Sequence, residues 1–267
     1  LLICKFNKFM RAILTFLIAL VFSSNLFANS LNEILKEIFP KSSNIFGVEI
    51  IATEKVKDKD ISKAAKILEQ WLDNNNDGKI DNHLVLESII KNNAKIIMAS
   101  SERNLDDSFD ELIEMAEGLN IDPDSFEPKL IGLIAHEPNI AYLEEILHMI
   151  TQWGYAFAYP DVFGEENGTE LATAMDDARG GYFEDVPDRY PVNSWYHYDD
   201  DECDYSCMIT EYIYWSITSL LGAQKNRLEA IEDEWEFNTP TKMQKDKKFI
   251  IIYNNSEYNL PTKLPKF

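Results

Sequence analysis

The chain has little positive charge. Its 25 Lys and Arg residues stand against 46 Asp and Glu residues, and the formal net charge is −21. A nucleic-acid-binding protein needs a basic surface that neutralises phosphates, so this balance excludes that class. Glycine is also scarce, with 10 in 267 residues, and the motifs G-x-x-x-x-G-K-[ST], G-x-G-x-x-G and G-x-S-x-G are absent. Nucleotide hydrolysis, dinucleotide redox chemistry and serine hydrolase chemistry are therefore not expected.

Long apolar runs are few, and one lies near the start of the chain. Three basic residues precede an uncharged apolar run over residues 12–22, and a small residue, Ala28, follows at the expected cleavage position. This order is typical of a secretory signal peptide. The run is about half of the ~20 residues that a membrane-spanning helix needs, which disfavours the alternative of an uncleaved anchor. The sequence predicts a signal peptide over residues 1–28 and a secreted or periplasmic mature chain without a membrane span.

Cysteine is rare. Cys4 lies in the predicted signal peptide, so the mature chain keeps only Cys203 and Cys207. In an oxidising compartment these two are expected to pair. Their i, i+4 spacing places the Cα atoms about 6 Å apart in a helix, which is within disulfide range. The alternative is a soft metal site, although two thiols alone rarely hold zinc.

Apolar periodicity predicts a mainly helical α+β chain without internal repeats. We expect a boundary near residue 125, between an N-terminal α/β region (29–125) and a helical region with a C-terminal strand (126–267). Residues 101–107 have the composition of a polar loop. The predicted helices cover 30–40, 60–72, 84–91, 108–118, 139–153, 169–179 and 205–222, and the predicted strands cover 46–52, 94–99 and 249–253.

A calcium-type loop is predicted between two helices. Residues 73–81 have the sequence D-N-N-N-D-G-K-I-D. Alternate positions supply oxygens that can converge on one cation. Gly78 permits the positive φ that the sharp turn needs. The segment resembles the EF-hand superfamily over about thirty residues. The implied ligands are Asp73, Asn75, Asp77, Lys79 through its backbone carbonyl, and Asp81 directly or through water.

The loop departs from the EF-hand pattern at its twelfth position. Leu84 stands where EF-hands place a bidentate Glu, and Glu87 follows three residues later. Losing the two oxygens of that Glu should weaken calcium binding, to a dissociation constant of roughly 10⁻⁴–10⁻³ M. A single loop in a secreted protein implies a structural clip rather than a sensor. The alternative is a polar turn that binds no ion.

A zinc-type arrangement is predicted on the helix at 139–153. Glu144 and His148 are i, i+4 neighbours and share one face, with Glu145 beside them. This layout reproduces the zincin motif H-E-x-x-H with Glu in place of the first His. Transferred from that motif, Glu144 and His148 would be zinc ligands, and Glu145 would be the general base.

A third ligand is expected from the apolar helix at 205–222. Glu211 is costly to bury there unless it is paired or bound to a metal. Tyr205 lies about two turns earlier and could donate a hydrogen bond to an oxyanion. Residues 139–222 resemble the gluzincin-type metallopeptidases, such as those of the lethal-factor kind, and this resemblance implies zinc and peptide hydrolysis. The alternative is a buried Glu–His pair with a purely structural role.

Two further polar clusters have less specific patterns. Asp176, Asp177 and Arg179 end a predicted helix, where a salt-bridged cap is favoured over a substrate clamp. His197 lies in an aromatic and acidic stretch, for which an exposed loop is favoured over a second cation site. His136 precedes Glu and Pro, and the proline excludes a helical metal motif there.

The sequence as a whole predicts a secreted, acidic, calcium-binding protein with a zinc-type metallopeptidase-like domain. Its partners would be divalent cations and a peptide or protein substrate. The main alternative is a non-catalytic, calcium-stabilised secreted binding or surface protein whose metallopeptidase-like core is degenerate. A glycosidase that uses a pair of carboxylates is a third hypothesis, because acidic and aromatic residues are plentiful.

Overall fold

The computed structural model describes residues 30–267. The predicted signal peptide lies outside these residues. The described chain is mainly helical with one four-stranded mixed sheet, which confirms the α+β class. The first helix, α1, covers residues 30–38. The strands are β1 (Lys41–Ile45), β2 (Val48–Ala52), β3 (Lys95–Ala99) and β4 (Leu130–Ile134).

The sheet has the order β1-β2-β3-β4. β1 and β2 are antiparallel, and the tight turn between them has positive φ angles of 53° at Phe46 and 96° at Gly47. β2, β3 and β4 are parallel, so helices connect them by crossovers. These helices are α2 (Asp58–Leu72), α3 (His83–Asn92) and α4 (Glu102–Gly118).

Helices cover both faces of the sheet. Ile51 and Ile97 share a buried cluster with α1 and α4. Ile50 and Ile96 belong to a larger cluster that includes α2 and the helices after β4. Successive strand side chains point to opposite faces, which explains why neighbouring residues enter different clusters.

The chain after β4 is helical. Its longest helix, α9, is apolar on nearly every side and lies in the larger cluster with α5. A π-helical turn, Thr151–Tyr155, continues α5. The helices are α5 (Asn139–Ile150), α6 (Ala156–Ala158), α7 (Pro160–Phe163), α8 (Glu170–Arg179), α9 (Tyr205–Leu220), α10 (Leu228–Ile231), α11 (Pro240–Met243) and α12 (Lys247–Tyr253). Within residues 30–267, no helix combines the length and the hydropathy that crossing a bilayer requires.

A disulfide joins Cys203 and Cys207, as the sequence predicts, and their Cα atoms are 5.3 Å apart. Cys203 precedes α9 rather than lying in it. Asp204 is the N-cap of that helix, and its carboxylate accepts a hydrogen bond from the Cys207 backbone N–H at 2.9 Å. The bridge therefore fixes the first turn of α9 to the irregular segment before it.

Two predicted elements are wrong. Residues 102–107 are not a loop, because Ser101 caps α4 by accepting a hydrogen bond from the Asn104 N–H, and Leu105 packs against the smaller cluster. The predicted C-terminal strand is part of α12. Its β-branched run favoured a strand, but Phe249 and Ile252 are buried at helical i, i+3 spacing, and Asp246 caps the helix.

The sequence analysis missed the two outer strands. β1 is polar and has alternating exposure, as an edge strand does. Two short 3₁₀ turns, Pro123–Ser125 and Glu127–Lys129, lead into β4. β4 pairs with β3 over its whole length. The predicted division of the chain near residue 125 stays a prediction.

Candidate metal centre

Two apolar helices carry the acidic and imidazole groups of the candidate site. α5 begins after Pro138, and its buried residues include Leu143, Ile146 and Leu147. Glu144 and His148 lie one turn apart on the flank of α5 that meets α9, which contributes Glu211. Apolar neighbours hold both helices in the core. The two carboxyl groups and the imidazole therefore lie close together where little water can reach them.

The site is compact. Glu144, His148 and Glu211 each offer a ligand atom, and these atoms all lie within 4.8 Å of one another. His148 Nε2 is 3.6 Å from Glu211 Oε1, and His148 Nδ1 is 3.9 Å from Glu145 Oε2. Both distances exceed those of hydrogen bonds. In the part of the chain that the structure describes, this is the one cluster of three or more His, Cys, Asp or Glu residues with such spacing.

The imidazole of His148 has an unsatisfied nitrogen. His148 is only 9% exposed, and its Nε2 atom is buried without a hydrogen-bond partner. A buried polar atom without a partner is costly, and it calls for an explanation such as an ion. Two donors bound tetrahedrally to one zinc ion at bond lengths near 2 Å are roughly 3.4 Å apart. The 3.6 Å between Nε2 and the Glu211 oxygen fits that geometry.

Burial disfavours the charged forms of four groups at this site, and it shifts their pKa values accordingly. The groups are Glu144, Glu145, His148 and Glu211. Burial raises the pKa of Glu144 to about 7, although the Arg227 charge and a hydrogen bond from Tyr214 act in the opposite direction. Burial and the Glu144 charge raise the pKa of Glu145 to about 8. Burial lowers the pKa of His148 to about 4, so its contacts with the acids are not ion pairs at neutral pH.

The pKa of Glu211 shifts in the same direction as those of Glu144 and Glu145. Burial raises its pKa well above the usual carboxyl range, and the negative charges of Glu144 and Glu145 add to the effect. Glu234 and Asp200 contribute further repulsion. Without an ion, the Glu144–His148–Glu211 cluster therefore favours bound protons, and a divalent cation at its centre would relieve both the repulsion and the desolvation.

A polar network that the sequence analysis missed supports Glu144. The Tyr214 ring meets the His148 ring edge-on, with centroids 5.4 Å apart. Gln224 donates to the Tyr214 hydroxyl at 3.2 Å, and Arg227 donates to the Gln224 side-chain oxygen at 2.7 Å. Tyr214 lies three residues after Glu211, so helical spacing could have indicated it. Gln224 and Arg227 follow α9 in a turn, and no spacing rule connects them to α5.

The structure places Tyr205 elsewhere. Its hydroxyl donates a hydrogen bond to Asp176 Oδ1 at 3.1 Å, and its ring contacts Tyr182. The predicted oxyanion donor is thus engaged with a carboxylate of α8 rather than with a member of the Glu144–His148–Glu211 group.

The calcium-type loop has its own internal hydrogen bonds. Asp73 accepts from the N–H groups of Asp77 at 3.0 Å and Gly78 at 2.8 Å, and Gly78 has the expected positive φ of 82°. Asp81 accepts from the Asn74 backbone N–H at 2.6 Å and from the Asn75 amide at 2.9 Å. Lys79 N–H donates to Asp77, and Lys79 and Asn75 are exposed.

The twelfth position of the loop faces solvent. Leu84 is 53% exposed on the first turn of α3, and Glu87 is exposed as well. Calcium binding by this loop stays a prediction.

The end of α8 differs from the predicted salt-bridged cap. Arg179 is fully buried and donates to the backbone carbonyls of Phe183 at 2.6 Å and Asp185 at 3.2 Å. Asp177 pairs instead with Lys248 at 2.8 Å. The arginine therefore organises the loop after α8 through main-chain acceptors.

The remaining histidines lie apart from the cluster. His136 Nδ1 is 3.0 Å from the Ser100 carbonyl, and His83 is exposed. The backbone N–H of His197 donates to the Glu234 carbonyl, and the His197 ring contacts Tyr190.

Comparisons of the chain with protein-family models, with curated proteins and with solved structures found no match.

Proposed function

We propose that Glu144, His148 and Glu211 bind one divalent transition-metal ion, zinc foremost, and that the protein is a metal-dependent hydrolase acting on peptides. The observation that carries this proposal is the buried, unpartnered Nε2 of His148 beside the Glu211 carboxyl. One imidazole and two carboxylates suit zinc, and three protein ligands leave a fourth position for water or substrate. When bound, such an ion lowers the pKa of its water and polarises a carbonyl.

Glu145 faces the second nitrogen of His148. At 3.9 Å from Nδ1, a small movement would let its carboxylate accept the Nδ1–H hydrogen bond. That contact would fix the tautomer that leaves Nε2 free as a ligand, as carboxylates do for metal-bound histidines. Its raised pKa near 8 means that Glu145 holds a proton for much of the time at neutral pH without an ion. The general-base role that the zincin resemblance implies requires its ionised form.

Tyr214 and Arg227 would hold Glu144 in its ligand position. Tyr214 hydrogen-bonds Glu144, and the Arg227 charge lowers the Glu144 pKa against the effect of burial. Both influences favour the ionised carboxylate, which is the form that binds a metal. Tyr214 and Arg227 thus favour the charged form of Glu144. Among the residues that the structure describes, Glu211 has no such neighbour, so the bound ion would balance its negative charge.

A second candidate function is a non-catalytic, calcium-stabilised secreted binding protein. The observation that favours it is the attachment of the loop to the C-terminal segment. The Asn74 side chain donates to the Lys263 carbonyl at 2.8 Å and accepts from the Thr262 N–H at 2.8 Å. An ion in this loop would also hold the end of the chain, which is a structural rather than a catalytic role. Export and a secreted or periplasmic location belong to both proposals.

Hydrolysis of a mixed set of fluorogenic peptides tests the enzyme proposal. Protein stripped with chelator should be inactive, and one equivalent of zinc should restore cleavage. His148→Ala should stay inactive with zinc, whereas His197→Ala, as the matched histidine control, should behave like the unaltered protein. Zinc binding without cleavage of any peptide would support the non-catalytic alternative and contradict the hydrolase.

A further inference from the structure

A cleft lies at the π-helical turn that continues α5. It has a volume of about 570 Å³ and is lined by residues of the π-helical turn, α6 and the segment after α7. Pockets for organic ligands have volumes of about 300–1,000 Å³. The lining residues that matter here are Gln152, Trp153, Phe157, Glu165 and Glu166.

The π-helical turn connects the cleft to α5, the helix that carries two of the proposed ligands. π-Helical turns are rare in proteins, and many of those that occur lie at functional sites. Gln152 follows His148 by four residues on the continuation of α5. The turn packs closely on α3 at Gly154, where an added Cβ atom would lie 2.7 Å from Val85 Cγ1. A glycine is therefore needed for this turn to lie where it does.

One wall of the cleft is aromatic. The Trp153 and Phe157 rings are stacked, with centroids 5.4 Å apart and planes 17° from parallel. Trp153 is fixed by a hydrogen bond from Nε1 to the Pro128 carbonyl at 3.1 Å. Phe157 is 53% exposed, although it is a large apolar residue. Faces of aromatic rings attract cations, which bind best within about 6 Å of a ring centroid.

The polar end of the cleft is a carboxyl group without a cationic partner. Glu165 accepts a hydrogen bond from the Thr210 hydroxyl, and the Gln152 side chain lines the same cleft. Thr210 directly precedes Glu211, so the cleft adjoins both helices of the metal centre. Between residues 30 and 267, Glu165 forms no ion pair. Glu166 adds a second carboxyl group to the lining.

We infer that this cleft binds the basic side chain of a peptide, an arginine or a lysine, with its cation between the Trp153–Phe157 stack and the Glu165 carboxylate. The net charge of −21 favours the approach of a basic peptide. A planar guanidinium can both stack on the rings and pair with the carboxylate. The binding itself stands on the cleft alone. Selective cleavage beside basic residues rests in addition on the proposed function.

Calorimetric titration of the chelator-treated protein tests the inference without any metal. The probe is Nα-acetyl-L-arginine amide, and the matched uncharged probe is the citrulline analogue. We expect saturable binding of the arginine probe and binding at least about tenfold weaker for citrulline, because only the arginine probe can form the ion pair. Glu165→Gln should weaken arginine binding about tenfold, and Phe157→Ala should weaken it severalfold.

Two controls separate the cleft from the fold and from the metal centre. Phe157 is exposed, so its replacement should leave the melting temperature unchanged, and Glu114→Gln on the exposed side of α4 should leave arginine binding unchanged. His148→Ala should lose zinc but keep arginine binding. Equal affinity for the two probes, no saturable binding, or full affinity in Glu165→Gln would overturn the inference, whatever the zinc measurements show.

Discussion

The carboxylates of the loop at 73–81 have hydrogen-bond partners, whereas those of the Glu144–His148–Glu211 cluster on α5 and α9 lie mainly against other acids. In the loop, Asp73 and Asp81 each accept two hydrogen bonds from nearby N–H groups. In the cluster, acids lie against one another and against an imidazole nitrogen without a partner. The loop is thus satisfied without an ion, whereas the cluster carries an uncompensated electrostatic cost.

The structure thus ranks the two candidate metal sites in the opposite order from their sequence motifs. The loop matches the first nine EF-hand positions, whereas the cluster departs from the zincin motif at its first ligand. A motif records which residue types are adjacent in the chain. The energetic need for an ion depends on which hydrogen-bond partners tertiary structure leaves over. A buried polar atom without a hydrogen-bond partner, such as His148 Nε2, is therefore better evidence for a metal than carboxylates at the right spacing.

The largest expected effect is on the loop. Asp73→Ala removes a buried carboxylate that accepts two backbone N–H bonds, so we expect the free energy of unfolding to fall by about 2–4 kcal/mol. Urea denaturation without added ions measures it. Exposed Asp107, replaced by alanine, is the matched control and should change stability little. Unchanged stability in Asp73→Ala would mean that the loop is not satisfied by its own hydrogen bonds.

The cluster should respond with the opposite sign. Glu211→Gln removes a buried acid whose pKa is raised by burial and by neighbouring charges, so the metal-free protein should become more stable by about 1–3 kcal/mol. The same denaturation experiment measures this change. A less stable metal-free Glu211→Gln protein would show that the acids stabilise the fold and would remove the contrast with the loop.

The pH dependence of stability sharpens the comparison. The pKa values of Glu144 and Glu145 are about 7 and 8 in the folded chain, above the unfolded carboxyl value of about 4.5. The folded state therefore binds more protons, and stability is lost as pH rises toward and through these values. His148, with a folded pKa near 4, loses its contribution only as pH falls below its unfolded value near 6.5.

Between pH 6.5 and 8.5 only the carboxyl effect operates among these groups. We expect the melting temperature of the metal-free protein to fall by several degrees across this range, and Glu211→Gln should flatten the dependence. Zinc should stabilise the protein more at pH 8 than at pH 6, because binding displaces protons. A melting temperature that rises between pH 6.5 and 8.5 would contradict the raised carboxyl pKa values.

The smallest expected effect is that of calcium on the loop. With an affinity of about 10⁻⁴–10⁻³ M, 1 mM calcium should stabilise the protein by about 0.4–1.4 kcal/mol. Thermal unfolding with and without calcium measures it, and magnesium is the control ion. The shift should vanish in Asp73→Ala but persist in His148→Ala. A shift that persists in Asp73→Ala would place the calcium elsewhere.

Local patterns predicted much of the fold. Helical periodicity indicated α2, α5, α8 and α9, and the spacing of two cysteines indicated their disulfide. Propensity failed at 249–253, where a β-branched run forms a helix because Asp246 caps it and the core accepts Phe249 and Ile252 on one side. It also missed β1, whose polar residues are stabilised by pairing with β2 rather than by burial.

The candidate site was predicted in part. Glu144 and His148 share a helix face, and the isolated charge of Glu211 in an apolar helix indicated the third member of the group that the structure brings together. Tyr214 could have been found by the same spacing. Arg227 and Gln224 reach the site only through turns between elements, and sequence periodicity contains no information about such contacts.

Zinc content after exhaustive dialysis against micromolar zinc tests the central claim most directly. Elemental analysis should find one zinc ion per chain in the unaltered protein and in Asp73→Ala, and almost none in His148→Ala or Glu211→Gln. A zinc-free unaltered protein, or the same zinc content in His148→Ala, would contradict a metal centre on α5 and α9.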